Sequence, residues 1–170
     1  MSFLQRLLGN NDRDIMRPLW HATVGTSREQ EWYSDCHAAD SVDGRFDMIA
    51  LVLALVLIRM EASKQLGPKT GLLTELFVAD MDRQLRDSGV GDLKVGKTMG
   101  QLMEALGGRI GTIREALGST DDAALAAVLQ RNMRLTTEDT PLALAARTRA
   151  LHHDLAGLSD DALLAGQLRP

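Results

Sequence analysis

The feature that most constrains this chain is an apolar stretch, residues 48–58, in which no side chain is polar. Arg45 and Asp47 precede it and Arg59 follows it. The stretch is shorter than the roughly 18 residues that a membrane span requires. A helix that is apolar on every face must be covered on every face. The sequence therefore predicts a buried central helix, with an interfacial or re-entrant membrane segment as the alternative.

The rest of the composition favours helices around that centre. Apolar residues make up 45% of the 170 residues and aromatic residues only 4%, so the core must consist mainly of Leu, Ala, Val, Ile and Met. Helices accommodate these residues well, and no segment shows the alternation that is typical of strands. We predict an all-α, single-domain bundle of about six to eight helices around the central apolar helix.

The predicted domain has three parts. Residues 1–12 form a short amphipathic segment without the features of a secretory signal. Residues 13–118 form the helical core, and residues 119–170 form an Ala/Leu-rich extension that packs on it. The single cysteine, Cys36, cannot form an intramolecular disulfide, which suits a reducing compartment.

Capping residues and helix breakers suggest where the helices begin and end. Ser41 or Asp43 can cap the central helix, which is predicted to continue to about residue 66, before Gly67 and Pro68 break it. An earlier helix over residues 14–29 tolerates a proline in its first turn.

The helix predicted over residues 70–88 carries one carboxylate at the border of its apolar stripe. An unpaired buried charge costs several kcal/mol, so Asp80 needs a partner, and Arg45 or Arg59 of the central helix is the expected one. Asp82 and Arg86 are instead spaced for an exposed ion pair.

The next predicted helix begins with Asp92 as its cap and carries glycines at positions 96, 100, 107 and 111. At about 100° per residue these glycines share one side of the helix. Each weakens the helix interior by roughly 0.5–1 kcal/mol relative to Ala, so four on one side need a reason. Two reasons are open: close packing of a helix of this chain, or a groove that receives a helix of another protein.

The sequence offers no recognisable catalytic apparatus. Asp80 and Asp82 lie two residues apart on a helix and point in different directions, so they cannot both bind one metal ion. None of the four histidines is spaced to activate Cys36 or a serine. We expect a protein that is not an enzyme and has no metal or cofactor site. The net charge of −4 disfavours nucleic-acid binding.

Two stretches, residues 42–48 (VDGRFDM) and 77–92 (FVADMDRQLRDSGVGD), resemble the ubiquinol-cytochrome c chaperone family. A weaker third match is Gly108-Arg109 followed by Ala116-Leu117. The resemblance covers about residues 20–117. The chain departs from the family pattern at residues 39–41, at Val52 and at Ile113.

The resemblance implies a non-catalytic chaperone that binds newly made cytochrome b and supports assembly of the ubiquinol-cytochrome c reductase. A second assembly factor and the ribosome are further expected partners. The lack of organelle-targeting features suggests a bacterial member at the cytoplasmic face of the membrane. The alternative is a helical interaction or membrane-surface module unrelated to respiratory assembly.

A chaperone for apolar helices should present apolar and small residues bordered by charge, and methionine suits adaptable contacts. The alternative is that these residues serve only as core, helix caps and ion pairs. The predicted partner-binding residues are Trp32, Tyr33, Asp43, Arg45, Phe46, Asp47, Asp80, Asp82, Arg86, Asp92, Lys97, Met99, Met103 and Gly107.

Overall fold

The structure is a computed structural model and describes residues 12–170. Residues 1–11, which hold nearly all of the predicted N-terminal segment, lie outside the described residues. The helices, in chain order, are α1 (Arg17–Ser27), α2 (Glu31–Ser34), α3 (Val42–Glu61), α4 (Thr70–Asp87), α5 (Asp92–Leu117), α6 (Asp122–Asn132), α7 (Leu142–Gly157) and α8 (Asp160–Leu164). The predicted all-α bundle is confirmed.

Helix α3 is the centre of the bundle, and residues 47–57 are buried without a break. Helices α1, α4, α5 and α7 contact it on its different sides. Ser41 caps its first turn, since the Ser41 hydroxyl oxygen accepts a hydrogen bond from the Gly44 N–H at 3.1 Å. The predicted buried central helix is therefore confirmed. Among residues 12–170 the structure contains no helix both long and apolar enough to cross a membrane.

The end of α3 differs from the prediction, because the helix stops at Glu61 rather than near residue 66. Ser63 explains the difference: its hydroxyl oxygen accepts hydrogen bonds from the N–H groups of Gln65 and Leu66, both at 3.1 Å. Such a local bond offers the backbone an alternative to the helix. A short 3-10 helix, Gly67–Lys69, then leads into α4.

The start of α3 is held against a distant loop. The Ala39 N–H donates to the Arg134 carbonyl and the Thr136 N–H donates to the His37 carbonyl, each at 2.9 Å. This isolated pairing fixes the α6–α7 loop beside the first turns of α3. A Cβ atom at Gly44 would lie only 2.0 Å from the Ala39 carbonyl oxygen, so glycine is required there.

Helices α4 and α5 form an antiparallel hairpin whose tip extends away from the core. Gly89, with φ of +79°, makes the reversal in a conformation that glycine adopts without strain. No member of the main buried core lies between Met81 and Leu106. Asp92 does not cap α5 as predicted: Gly91 occupies the cap position, and the Asp92 carboxylate instead accepts a hydrogen bond from Arg86.

The predicted pairing of Asp80 with an arginine of α3 is wrong. Arg59 donates from Nε to the Leu155 carbonyl at 2.9 Å and from Nη2 to the Leu158 carbonyl at 2.6 Å. It thereby binds two carbonyls at the end of α7, where the last turn of a helix leaves carbonyl groups without intrahelical partners. Arg45 binds Asp40. Asp80 binds Arg83 one turn further along its own helix, because it faces α1 rather than α3.

Candidate functional site

A cluster of one buried carboxylate and two arginines, the Asp47 cluster, joins three elements. Asp47 lies in the first half of α3 and its side chain is only 2% exposed. Arg109 of α5 donates to Oδ1 at 2.6 Å, and Arg134 of the α6–α7 loop donates to Oδ2 at 2.9 Å. The Arg134 backbone N–H also donates to Oδ2 at 3.0 Å. Two cations thus offset the burial of the charge, as a buried carboxylate requires.

The Asp47 cluster lines a cleft of about 330 Å³ between α3 and α5. Its walls are apolar, with Phe46, Leu102 and Leu106 among the lining residues. Val42, at the mouth, is 87% exposed. Of the predicted partner-binding residues, this cleft brings together Asp43, Phe46 and Asp47. The side-chain ring of Phe46 also packs on Phe77, with 6.0 Å between ring centroids.

Trp32 and Tyr33 do not line this cleft. Trp32 is fully buried, its Nε1 donates to the Thr26 carbonyl at 2.8 Å, and Arg147 lies 4.8 Å above its ring. It has no surface with which to contact a partner. The half-buried Tyr33 donates to the Ser27 carbonyl at 2.8 Å. Burial raises the pKa of Tyr33, an effect that the Arg45 cation opposes and the Asp40 carboxylate reinforces.

Asp80 lies in a groove of about 660 Å³ between α1 and α4, here called the α1–α4 groove. Its carboxylate is 17% exposed and is paired with Arg83. Residues Arg17, His21, Arg28 and Arg83 line the same groove, above an apolar floor. This groove is separate from the cleft at the Asp47 cluster, so the predicted charged residues do not form one surface.

Arg45, in the first turn of α3, lines a small groove of about 340 Å³ together with Tyr33 and Asp40. The remaining predicted residues belong to the α4–α5 hairpin. Asp82 and Met103 line a groove of about 720 Å³ beside α4, here called the α4–α5 groove, which also contains Gly71 and Val78. Arg86 binds Asp82 at 2.7 Å, which confirms the predicted pair, and binds Asp92 as well. Lys97 is exposed on α5 and Met99 is half-buried.

The four glycines of α5, at positions 96, 100, 107 and 111, form an exposed stripe that we call the glycine face. A Cβ atom placed on any of them would have no neighbour within 4 Å. Close packing within the chain was one of two explanations for these glycines, and the structure shows it to be wrong. Met103 lies next to the glycine face on the helix surface and connects it with the α4–α5 groove.

Sequence reasoning missed Arg109 and Arg134, the two partners of Asp47. A signal for the first existed, because Arg109 belongs to the short third match with the family. A second signal was Asp47 itself, because a carboxylate within an apolar helix needs a cation as its partner. Arg134 had none, because it lies in a loop 87 residues away from Asp47 along the chain.

A family model described as ubiquinol-cytochrome C chaperone matches residues 34–170. The chain belongs to the ubiquinol-cytochrome c chaperone family. Family membership fits an assembly chaperone for the ubiquinol-cytochrome c reductase. The match extends over the Ala-rich C-terminal region, which the sequence resemblance over residues 20–117 had left out.

A solved structure supports the same assignment. The crystal structure of the Cbp3 homolog from Brucella abortus superposes on this family member with a TM-score of 0.80 and 32% sequence identity. The match covers 96% of this chain and 92% of that chain. No curated protein matches this sequence.

Proposed function

We propose that this chain is a non-catalytic chaperone that binds newly made cytochrome b through the glycine face and the adjoining α4–α5 groove. The observation that carries the proposal is the open space above the four glycines, in a chain that belongs to a chaperone family. Small residues allow another helix to approach closely. Leu93, on the same side of α5, is 96% exposed and supplies an apolar contact at the hairpin tip.

The surroundings of the glycine face suit an apolar client helix. Met103 provides an adaptable apolar contact beside the face, and Val78 adds a rigid one. Asp82, Arg86 and Asp92 lie at the hairpin end, where they can remain hydrated while the client helix is bound. Such a polar border limits non-specific association of exposed apolar surface.

Photocrosslinking in cells tests this proposal. A photoreactive amino acid at Gly100 is expected to capture newly made cytochrome b, whereas the same group at Gly157, an exposed position at the end of α7, is expected not to. Equal capture at the two positions would contradict the assignment of the face. Normal cytochrome b levels in cells that lack the gene would contradict the function itself.

Filling the face provides a second test. In the variant Gly100→Leu/Gly107→Leu the new side chains enter open space, so the chain should remain folded. Capture of cytochrome b from a crosslinker at Met103 should fall about tenfold or more, as for loss of a main binding contact. Gly157→Leu, which also enters open space, is the matched control.

The proposed place of action is the inner face of the bacterial cytoplasmic membrane, with peripheral contact, because cytochrome b is inserted there. A second assembly factor and the ribosome remain proposed partners. Fractionation of cells during arrested translation tests the location: a chaperone that acts on nascent cytochrome b should sediment with membranes, and release of the arrested chains should reduce that fraction.

A further inference from the structure

The α1–α4 groove is a basic site on a protein that carries a net charge of −4. Three arginines and one aspartate line it, which is a formal charge of +2 with His21 neutral. Arg17 is bound to Asp14 at 2.6 Å, and Arg83 is bound to Asp80. Arg28 has no carboxylate within 4.0 Å among residues 12–170.

Three basic side chains follow one line along α1 and the residue that ends it. Arg17, His21 and Arg28, which follows the last residue of α1, stand at positions i, i+4 and i+11, within about 40° of one another around the helix axis. All three are exposed. The line is about 16 Å long at 1.5 Å per residue, which corresponds to three helical turns.

The floor between this line and α4 is apolar. Trp20 is 5% exposed and Leu76 is 6% exposed, and Val24 and Ala79 complete the floor. Trp20 is held from below by Phe77, with ring centroids 6.1 Å apart and the rings near perpendicular. At Gly25, a Cβ atom would have no neighbour within 4 Å, so the backbone of α1 is open to an approaching chain.

From these features we propose that the α1–α4 groove binds an acidic, amphipathic helical segment of a partner protein. The apolar side of the segment lies on Val24 and Ala79, beneath which Trp20 and Leu76 are buried, and its carboxylates meet Arg17, Arg28 and Arg83. The groove is as long as three helical turns and has an apolar floor, so it suits a bound helix better than a single phosphate group, which would occupy far less of its length. Guanidinium groups suit carboxylates because they bind them through two parallel hydrogen bonds. The site is distinct from the glycine face and does not depend on the function proposed for that face.

The direct test is fluorescence anisotropy with the full chain and a labelled designed peptide of about 15 residues, a length at which a helix becomes marginally stable in water. The peptide carries Leu on one side and Glu on the flanks. It should bind, and its affinity should fall as salt is added, because exposed charge pairs are screened. A peptide with Lys in place of each Glu should bind at least tenfold more weakly. Equal binding of the two peptides would overturn the proposal.

Two sets of variants locate the binding. Arg17→Gln/Arg28→Gln/Arg83→Gln should weaken the Glu peptide about tenfold or more, whereas Arg131→Gln, an exposed arginine on α6, should leave it unchanged. Gly25→Leu should block the groove sterically without disturbing the fold, and Gly157→Leu is its control. Full binding by the triple variant or by Gly25→Leu would place the peptide elsewhere and overturn the proposal.

Other occupants give different results in the same assay. Binding of phosphatidylglycerol vesicles but not of the Glu peptide, lost in the triple variant, would identify a lipid surface and overturn the proposal. If inorganic phosphate displaces the peptide at an equal concentration, the groove binds a small anion, and the proposal is overturned. Sedimentation velocity of the chain alone detects a second copy as occupant: self-association lost in Gly25→Leu would exclude a separate partner.

Discussion

At the scale of single residues, Asp47 places a negative charge inside a helix whose next eleven residues are all apolar and are followed by Arg59. Its two cations come from α5 and from the α6–α7 loop, so one carboxylate ties three elements together. Breaking a buried pair leaves the remaining charge without compensation, which costs more than the pair itself contributes. Asp47 is therefore a position where a small chemical change has a large effect.

We predict that Asp47→Asn lowers the free energy of unfolding by roughly 3 kcal/mol, the lower part of the range for breaking a buried ion pair, because Arg134 is partly hydrated. Urea unfolding followed by circular dichroism measures this loss. Asp80→Asn is the matched control: its partner Arg83 is 71% exposed, so the loss should stay below about 1 kcal/mol.

A double-mutant cycle identifies the partner. Asp47→Asn combined with Arg109→Gln should cost less than the sum of the two single changes by at least about 0.5 kcal/mol, because the second change removes a charge that the first left unpaired. Simple additivity would show that Asp47 and Arg109 do not interact.

At the scale of elements, α3 and α5 contain glycine for opposite reasons. In α3, Gly44 allows the helix to touch the backbone of the preceding loop, at a place where no side chain fits. In α5, the glycine face touches nothing, so those residues lower the helix stability without a gain within the chain. A binding surface would explain why α5 contains glycines that lower its stability and that the fold does not require.

This contrast predicts two opposite effects of the same substitution. Gly44→Ala should destabilise the protein by roughly 1–3 kcal/mol, because the added methyl group forces the backbone at Ala39 to move. Gly100→Ala should stabilise it by about 0.5–1 kcal/mol, because alanine is the better helix former. Thermal and urea unfolding of the two variants measure both effects, and a loss of stability in Gly100→Ala would show that a neighbour fills the space above it.

At the scale of the whole molecule, Glu29 joins the beginning of the described chain to its end. Its carboxylate accepts hydrogen bonds from Arg147 of α7 at 2.9 Å and from Arg169 near the C-terminus at 2.8 Å. Burial would raise the pKa of Glu29, but the hydrogen bonds from Arg169 and Arg147 outweigh burial and lower the pKa below its ordinary value of 4.5. Arg147 in turn covers Trp32, so this network encloses one side of the core.

The lowered pKa predicts how stability depends on pH. Because the unfolded chain binds a proton at Glu29 more readily, the stabilisation is present above pH 4.5 and is lost as the pH falls through the pKa of the folded state. Glu29→Gln should therefore be less stable than the natural chain at about pH 7 and approach it as the pH falls through the pKa of the folded state.

Urea midpoints over that pH range measure the difference between the two proteins. Glu104→Gln is the control, because the exposed Glu104 carboxylate has no cation within 4.0 Å in the described part of the chain. A difference between Glu29→Gln and the natural chain that does not change with pH would contradict the link between the network and the charge of Glu29.

The elements were predictable because their signals are local. Ser41, Asp121 and Ser159 each accept a hydrogen bond from a backbone N–H in the first turn of the helix they precede, and Gly89 reverses the chain between α4 and α5. Each of these signals involves a few neighbouring residues. The end of α3 was missed because Ser63 competes for backbone N–H groups in a way that hydrophobic pattern does not reveal.

The pairing of charges was predicted correctly only where it was local as well. Asp82 and Arg86 stand one turn apart, and their ion pair follows from helix geometry. The partners of Asp80, Arg59 and Asp47 depend on which faces of different helices meet, and two of those three involve residues 62 or more positions away. For the same reason the predicted partner-binding residues are divided among four separate grooves, the core and the exposed surface of the α4–α5 hairpin.

The sequence by itself determined that the chain is helical, that residues 48–58 must be covered, and to which family it belongs, because periodicity, capping and motifs are written in short stretches. Only the tertiary structure decided that Asp47 meets Arg109 and Arg134, that the glycine face of α5 is left open, and that a basic groove follows α1. The physical reason is that burial and charge compensation depend on distances between elements, which are set by the packing of all the helices together.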